Sequence, residues 1–520
     1  MRFFNTAGPV VPEDHYCIPP LERFDLRRVL ELIRQKKYFV LHAPRQTGKT
    51  SALLALRDEL KRRGFRVVYL NVEIGQSARE DVGAAMRAML SQLALNAELD
   101  ADDPFVAGIW LKVLEGAGPH AALQQVLTRW AAAFSAPLVL LVDEVDSLVG
   151  DALLAVLRQL RAGYPDRPGR FPQSVILCGI RDVRDYRIHS RSGKAIITGG
   201  SAFNIKAESL RLGDFTAAET EALLTQHTEQ TGQPWTDAAK REVFRLSQGQ
   251  PWLVNALAYR ACQAHPGART IPVEAVHDAR EELIVRRETH LDQLTDKLGE
   301  GRVRRVIGPL LSGDPDLADT IPVDDLQYVK DLGLVRTDGH IRIANPIYQE
   351  VVPRDLTWTT QLSLPHEPPS YQQDGALLVD KLLAAFQTFF REHSEHWVER
   401  FAYREAGPQL LLQAFLQRIV NAGGRIEREY GLGRRRTDLL VVWPANGDVT
   451  KIVIECKLLR GSLDRTIREG LEQTRDYMDR ADAPEGHLVI FDRTEGRTWE
   501  ERIFRRADAA GDRPVTIWGM

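Results

Sequence analysis

Cysteine is scarce in this chain and scattered: Cys17, Cys178, Cys262 and Cys456 lie far apart, with no CxxC pair and no histidine cluster at zinc-ligand spacing. That argues against a disulfide framework and against a structural zinc site. Long apolar runs are missing as well. No stretch of about 18 apolar residues occurs, and the opening MRFFNTAGPVVPEDHY lacks the extended apolar segment of a secretory signal. The expectation is a cytoplasmic protein with no membrane partner. Nor is there an excess of one charge, since 68 basic residues face 71 acidic ones for a net charge of −3. This balance decides nothing about nucleic acid, because a local basic groove binds phosphates while acidic surfaces elsewhere cancel the sum. Internal repeats and low-complexity tracts are absent.

What is present is the composition of a soluble globular protein, with 44% hydrophobic and 27% charged residues. A length of 520 residues exceeds one hydrophobic core and predicts about three or four domains. Short apolar runs at 38–42, 66–71, 137–142 and 174–179 alternate with helical stretches, the pattern of buried parallel strands with crossover helices, one of them at 51–63. The expected organisation is an N-terminal segment at 1–20, a doubly wound α/β domain at 21–215, and a helical subdomain at 216–290 that Gly249 and Pro251 interrupt. At 291–356, helices precede a two-stranded hairpin around 337–339, which predicts a winged helix. Pro365, Pro368 and Pro369 mark 357–374 as a linker, and a last α/β domain fills 375–520.

After the first predicted strand comes Ala43-Pro44-Arg45-Gln46-Thr47-Gly48-Lys49-Thr50, followed by Ser51. It fits the P-loop pattern GxxxxGK[ST] except that Ala43 replaces the first glycine. A strand enters the loop and a helix leaves it, so backbone N–H groups and the helix N-terminus face a triphosphate. Lys49 is placed to reach the β- and γ-phosphates and Thr50 to hold Mg²⁺. The apolar run 138–142 ends in Asp143 and Glu144, a strand-end acid pair in which Asp143 serves the Mg²⁺ shell and Glu144 polarises the attacking water. ATP and Mg²⁺ are the cofactors this predicts, with Mn²⁺ able to substitute.

These residues, together with Ser247-Gln-Gly-Gln-Pro-Trp252, resemble the AAA+/STAND group of P-loop ATPases that carry a helical lid and winged helix. The resemblance spans 21–356. It implies that Gly249 and Pro251 approach the nucleotide, although a plain helix-breaking turn reads the sequence equally well. It also makes Arg181, in Cys178-Gly-Ile-Arg-Asp182, a candidate phosphate sensor and equally a surface arginine. Self-association into a homo-oligomer is a further implication, for which AAA+ members supply an arginine finger that this sequence does not identify. The winged helix has two readings, a DNA-binding module or a relay of nucleotide state; Arg302, Arg304 and Arg305 suit either.

A second constellation lies near the C-terminus. Glu405 stands near the start of a predicted helix whose apolar face includes Leu411, Leu412, Phe415, Leu416 and Ile419. Predicted strands then cover 426–430, 436–442 and 451–457, with a turn at Asn446-Gly447. In a strand, residues i and i+2 share a face, so Glu455 and Lys457 point together and Cys456 points away. If the strand carrying Asp438 pairs alongside, two carboxylates and an ammonium converge. Phosphodiester hydrolysis needs that grouping: a hard cation on oxygen ligands, a positioned water and positive charge for the phosphate. An ExK triplet alone is commonplace on exposed strands, but these acids stand in strongly apolar strands, where a buried charge needs a cation or a partner.

The segment 401–491 resembles the PD-(D/E)xK nuclease superfamily, and Gln473-Thr-Arg-Asp-Tyr477 resembles the QxxxY helix of its recombination-exonuclease branch. The resemblance implies a restriction-endonuclease-like α/β fold, metal ligation by Glu405, Asp438, Glu455 and the Cys456 carbonyl, catalysis through Asp438, Glu455 and Lys457, and a substrate-backbone contact from Gln473. The proline usual before the first aspartate is absent, Thr437 standing there. Basic residues at 431–436 form either a phosphate-attracting lip or a solvated turn. The whole implies an ATP-regulated, Mg²⁺-dependent nuclease whose partner is nucleic acid, DNA before RNA, with a role in defence against mobile elements. Two other readings stay open: a regulatory switch whose nuclease fold only binds DNA, and an ATPase that remodels DNA.

Overall fold

The computed structural model describes residues 1–182, 187–189, 196–198, 203–267, 270–286, 296–312, 321–363, 371–400, 407–420, 424–431, 436–445, 448–459, 461–494, 496–510 and 513–520, with the backbone alone at places such as 436–438. The chain divides into two compact units, one of Met1–Arg280 with Asp331–Gly333, the other of Glu281–Lys330 with Leu334–Met520.

In the first unit, two short strands, β1 (Phe3–Phe4) and β2 (His15–Tyr16), pair in parallel. Helix α1 (Leu26–Arg34) follows, capped by the Asp25 side chain. The central sheet holds β3 (Tyr38–His42), β4 (Arg66–Asn71), β5 (Leu138–Asp143), β6 (Ser174–Gly179) and β9 (Lys206–Arg211), all parallel, in the order β4-β5-β6-β3-β9. A small antiparallel pair, β7 (Arg187–His189) and β8 (Ile196–Thr198), lies between β6 and β9 in sequence. Strands β3, β5 and β6 are buried along their whole length, which is why they read as continuous apolar runs: helices cover both faces of a parallel sheet. On one face α1 and α2 (Lys49–Arg62) pack against Phe39, Leu41, Val139 and Ile176. On the other, Val40, Leu140 and Leu177 meet α3 (Val82–Ala101), α4 (Phe105–Ala117), α5 (Ala122–Ala132) and α6 (Gly150–Ala162). The order jumps at β3, so the loop after β3 opens at a topological switch point, where α/β sheets bind ligands.

Helices α7 (Ala217–Thr231), α8 (Asp237–Ser247), α9 (Pro251–Ala264) and α10 (Val273–Arg286) follow the sheet. A Thr216–Glu219 capping box starts α7, Thr236 caps α8 and Gln250 caps α9, each satisfying N–H groups that a helix start leaves unpaired.

In the second unit, α11 (Gly301–Ser312) and α12 (Val323–Asp331) precede the hairpin of β10 (Val335–Arg336) and β11 (Arg342–Ile343), then α13 (Pro346–Ser363). Arg302 and Arg305 both donate to the nearly buried Asp325, at 2.8 and 2.6 Å, so two of the three arginines are spent on holding α11 to α12. Helix α13 runs through Pro353 to Ser363, seven residues into the stretch that composition marks as linker. The buried Val351, Val352 and Thr357 explain this, for packing offsets the hydrogen bond a mid-helix proline removes.

After β12 (Gln372–Gln373) and β13 (Ala376–Leu377) come α14 (Val379–Arg400), α15 (Gly407–Val420), β14 (Arg425–Gly431), β15 (Arg436–Ala445), β16 (Asp448–Leu458), α16 (Leu463–Ala481), β17 (Glu485–Phe491), α17 (Trp499–Arg502), β18 (Phe504–Ala510) and β19 (Arg513–Gly519). One eight-stranded sheet runs β10-β11-β14-β15-β16-β17-β19-β18. Strands β14, β15 and β16 form an antiparallel meander; α16 then crosses over to β17, parallel to β16. Tyr477, Met478 and Ile467 of α16 pack on Leu440, Val453 and Leu488 of the sheet. Rings Phe386 and Phe390 of α14 meet Phe415 and Phe491 on the other side. A buried ion pair, Arg428 with Glu350, ties β14 to α13, and Gln417 of α15 accepts from the same guanidinium at 2.7 Å.

Candidate functional site

After His42 the chain turns through residues 43–48 into α2. Ala43 is wholly buried and its N–H donates to the Gly179 carbonyl at 3.2 Å. Its backbone is not left-handed, so alanine in place of the pattern's first glycine carries no backbone strain; the left-handed residues of the loop are Gln46 (φ 56°) and Gly48 (φ 88°). At Gly48 a Cβ would come within 2.8 Å of Arg23 Nη1, a second reason for glycine there. The loop closes on the Pro44 carbonyl, which accepts from Thr47 Oγ1 at 2.7 Å and Lys49 Nζ at 2.9 Å. Arg45 and Gln46 are exposed at its tip, and Ser51 Oγ accepts from the Val10 N–H at 2.9 Å.

Asp143, at the end of β5, is fully buried. Its Oδ2 accepts from Thr50 Oγ1 at 2.7 Å and from the Tyr69 hydroxyl at 2.9 Å, and its Oδ1 from the Glu144 N–H at 2.9 Å. Burial raises the Glu144 carboxyl above the ordinary carboxylate range while the Lys49 ammonium pulls it back. A hydroxyl and a carboxylate meeting at the carboxyl edge of a parallel sheet form a hard-oxygen donor set that fits Mg²⁺.

In the second unit, the register of β15 and β16 sets Asp438 directly opposite Glu455. Glu455 is fully buried and forms an ion pair with Lys457, and Lys457 also donates to Gln473 Oε1 on α16. Tyr477, one turn beyond Gln473, is nearly buried. Cys456, between the two charged residues, is buried too, and that burial raises its thiol. The structure thus brings Glu455, Lys457 and Gln473 into contact, and the backbone at Asp438 pairs opposite Glu455. Glu405, the turn at Asn446-Gly447 and most of the basic segment at 431–436 lie outside the described residues.

A family model described as an AAA domain matches residues 33–186. Those residues form an AAA domain, a P-loop ATPase fold. Among solved structures, the chain is similar to a Walker-type ATPase of Pyrococcus abyssi (14% identity, 67% of this chain and 99% of that chain, TM-score 0.47). It is also similar to Cdc6p from Pyrobaculum aerophilum (15% identity, 77% and 93%, TM-score 0.37) and to the RuvB Holliday junction branch migration motor of Thermotoga maritima (13% identity, 61% and 91%, TM-score 0.32). No curated protein matches the chain. Among the described residues, no helix is long and apolar enough to cross a membrane.

Within the AAA domain Arg181 follows β6, and its Nε lies 3.8 Å from Asp146 Oδ1. Gly249 stands where Gly and Pro break the helical pattern. Its φ is +79° and a Cβ there would lie 1.9 Å from the Phe215 carbonyl oxygen. Gln250, next in sequence, donates from Nε2 to the Gln46 carbonyl at 3.5 Å, so the start of α9 touches the P-loop. Two contributors carry no local signature. Arg23 donates to the carbonyls of Thr47 and Gly213, and burial lowers its guanidinium to about 10. A cavity of about 110 Å³ beside the loop is lined by Tyr16, Ile18, Gly48, Phe215, Trp252 and Asn255 among others. Tyr69, the second donor to Asp143, sits in a strand legible from sequence, but nothing in the text singles out its hydroxyl.

Proposed function

We propose that this chain is an ATP-controlled, Mg²⁺-dependent nuclease that hydrolyses phosphodiester bonds of nucleic acid, DNA in particular. In this reading Lys49 and the backbone around Gly48 hold the triphosphate, Thr50 and Asp143 face its Mg²⁺, and Glu144 polarises the attacking water. Arg181 exchanges Asp146 for the γ-phosphate. The lid at 216–290 senses the change through the Gln250–Gln46 contact, and the winged helix at 291–356 relays it.

Asp438 and Glu455, with the Cys456 carbonyl and Glu405, make up the second metal set. Bound there, Mg²⁺ supplies Lewis-acid polarisation of the scissile phosphate. Lys457 orients the water, and Gln473 fixes the Lys457 ammonium. The observation that carries the reading is Glu455: a fully buried carboxylate in an apolar strand, paired with Lys457 and opposite Asp438. A charge so placed is costly without a cation or a partner. The AAA domain supports the ATP half.

Cleavage of single-stranded, duplex and circular DNA and RNA, with and without Mg²⁺ and ATP, tests the proposal. Mg²⁺-dependent cutting that Glu455→Gln abolishes while ATP binding persists is the expected result. Undiminished cutting by that variant would overturn the assignment.

A further inference from the structure

The eight-stranded sheet ends on β18, and among the described residues no strand pairs with its outer edge. Its register with β19 runs without a shift from Phe504 opposite Gly519 to Ala510 opposite Arg513, and residues 505–509 are all exposed. Proteins block such an edge with a lysine, a proline or a bulge, and β18 has none of these. Along an antiparallel ladder, successive residues turn their backbone groups alternately toward the neighbouring strand and away from it. Ala509 marks the outward set: it stands opposite Pro514, which has no N–H, and its own N–H donates to Asp508 Oδ1 at 2.7 Å. Ala507 and Arg505, at steps of two, then face outward as well. The charges of interest fall between them. Arg506 and Asp508 project from one face of the sheet. Among the described residues neither meets an opposite charge: Arg506 lies over the Phe504 ring, and Asp508 holds only the neighbouring N–H. Arg505, on the other face, is already paired with Asp380.

From this pattern we infer that β18 pairs antiparallel with β18 of a second copy of the chain, about a two-fold axis through Ala507. With Ala507 opposite its own counterpart, Arg505 stands opposite Ala509, so the outward backbone groups of all three residues bond across the axis. Arg506 then meets Asp508 of the other copy, twice over, at the positions between the hydrogen-bonded pairs, where side chains come closest. The sign pattern also fixes the register. A slip of two residues in one direction sets Asp508 against Asp508, and in the other Arg506 against Arg506, so both neighbouring registers are repulsive. The axis stands perpendicular to the sheet, which keeps like faces together. Phe504 packs in the cluster of Ile467 on α16, and Lys457 donates to Gln473 of the same helix; both copies of α16, and with them both Glu455–Lys457 pairs, therefore lie on one face of the joint sheet. The inference depends neither on the nuclease reading nor on the AAA domain.

Sedimentation velocity of the full-length, nucleotide-free protein, from about 1 to 100 μM, tests the pairing. A reversible monomer–dimer equilibrium is the expected result. Arg506→Asp and Asp508→Arg each set like charges face to face and should weaken dimerisation at least about tenfold, and the double variant carrying both exchanges should recover the native affinity. Both side chains are exposed, and an unchanged melting transition checks each variant. A native protein that stays monomeric across the range overturns the proposal. So does a dimer that both single exchanges leave unchanged, since association then runs through another surface. A double variant no tighter than the single ones overturns the Arg506–Asp508 register.

Discussion

Thr50 donates its hydroxyl to Asp143 Oδ2 at 2.7 Å, on the same oxygen that accepts from Tyr69. The two oxygens proposed to face Mg²⁺ therefore touch, across 93 residues of sequence. Under the proposed function the Thr50 oxygen, at the start of α2, and the Asp143 carboxylate, at the end of β5, would both face Mg²⁺. Thr50→Val keeps the shape of the side chain and removes the oxygen. We expect it to weaken ATP binding by about tenfold in Mg²⁺ and to leave the Mg²⁺-free affinity unchanged, as read by calorimetry with and without EDTA. A loss of equal size in both conditions would contradict a metal-facing role.

Glu144 follows that carboxylate, and its burial sets a pH dependence. A carboxyl raised above its ordinary value keeps its proton to higher pH, and a general base works only when ionised. The acid limb of ATP turnover should accordingly lie at higher pH than for an unperturbed glutamate. Glu144→Gln should lower turnover by about 10²- to 10⁴-fold with ATP affinity retained. Steady-state rates across pH, in parallel with binding, check both statements; an acid limb at the ordinary carboxylate position would refute the first.

Gly249 is held at φ +79° against the Phe215 carbonyl. Gly249→Ala adds a methyl where no space exists, on a backbone that side chains rarely adopt. The start of α9 must then shift, and with it the Gln250–Gln46 contact. A destabilisation of about 1–3 kcal/mol in urea unfolding, together with weaker ATP binding, is the expected outcome. Native stability and affinity in the variant would show that the lid does not depend on this approach.

Much of the first unit was legible because burial on both faces leaves strands as unbroken apolar runs. Strands β3, β4 and β6 fall at 38–42, 66–71 and 174–179, as the runs predict. The crossover helix starts two residues earlier than its apolar pattern, at Lys49, because Gly48 supplies the left-handed cap. The strand carrying Asp438 does pair beside the one carrying Glu455, and that pairing followed from two consecutive apolar runs around a turn. Arg23 was not legible, since it joins Thr47 and Gly213 from 24 and 190 residues away and only the folded chain brings them together. The end of α13 was missed because composition reports the prolines at 365–369 and not the packing of Thr357.

The proposed nuclease requires that Asp438 and Glu455 hold a divalent ion, and Mn²⁺ uptake by the nucleotide-free, full-length protein, followed by electron paramagnetic resonance, reads this without reference to any substrate. A bound Mn²⁺ signal in the native protein, weakened at least about tenfold in Glu455→Gln, is the expected result. Identical uptake by the two proteins, or none by either, would contradict it.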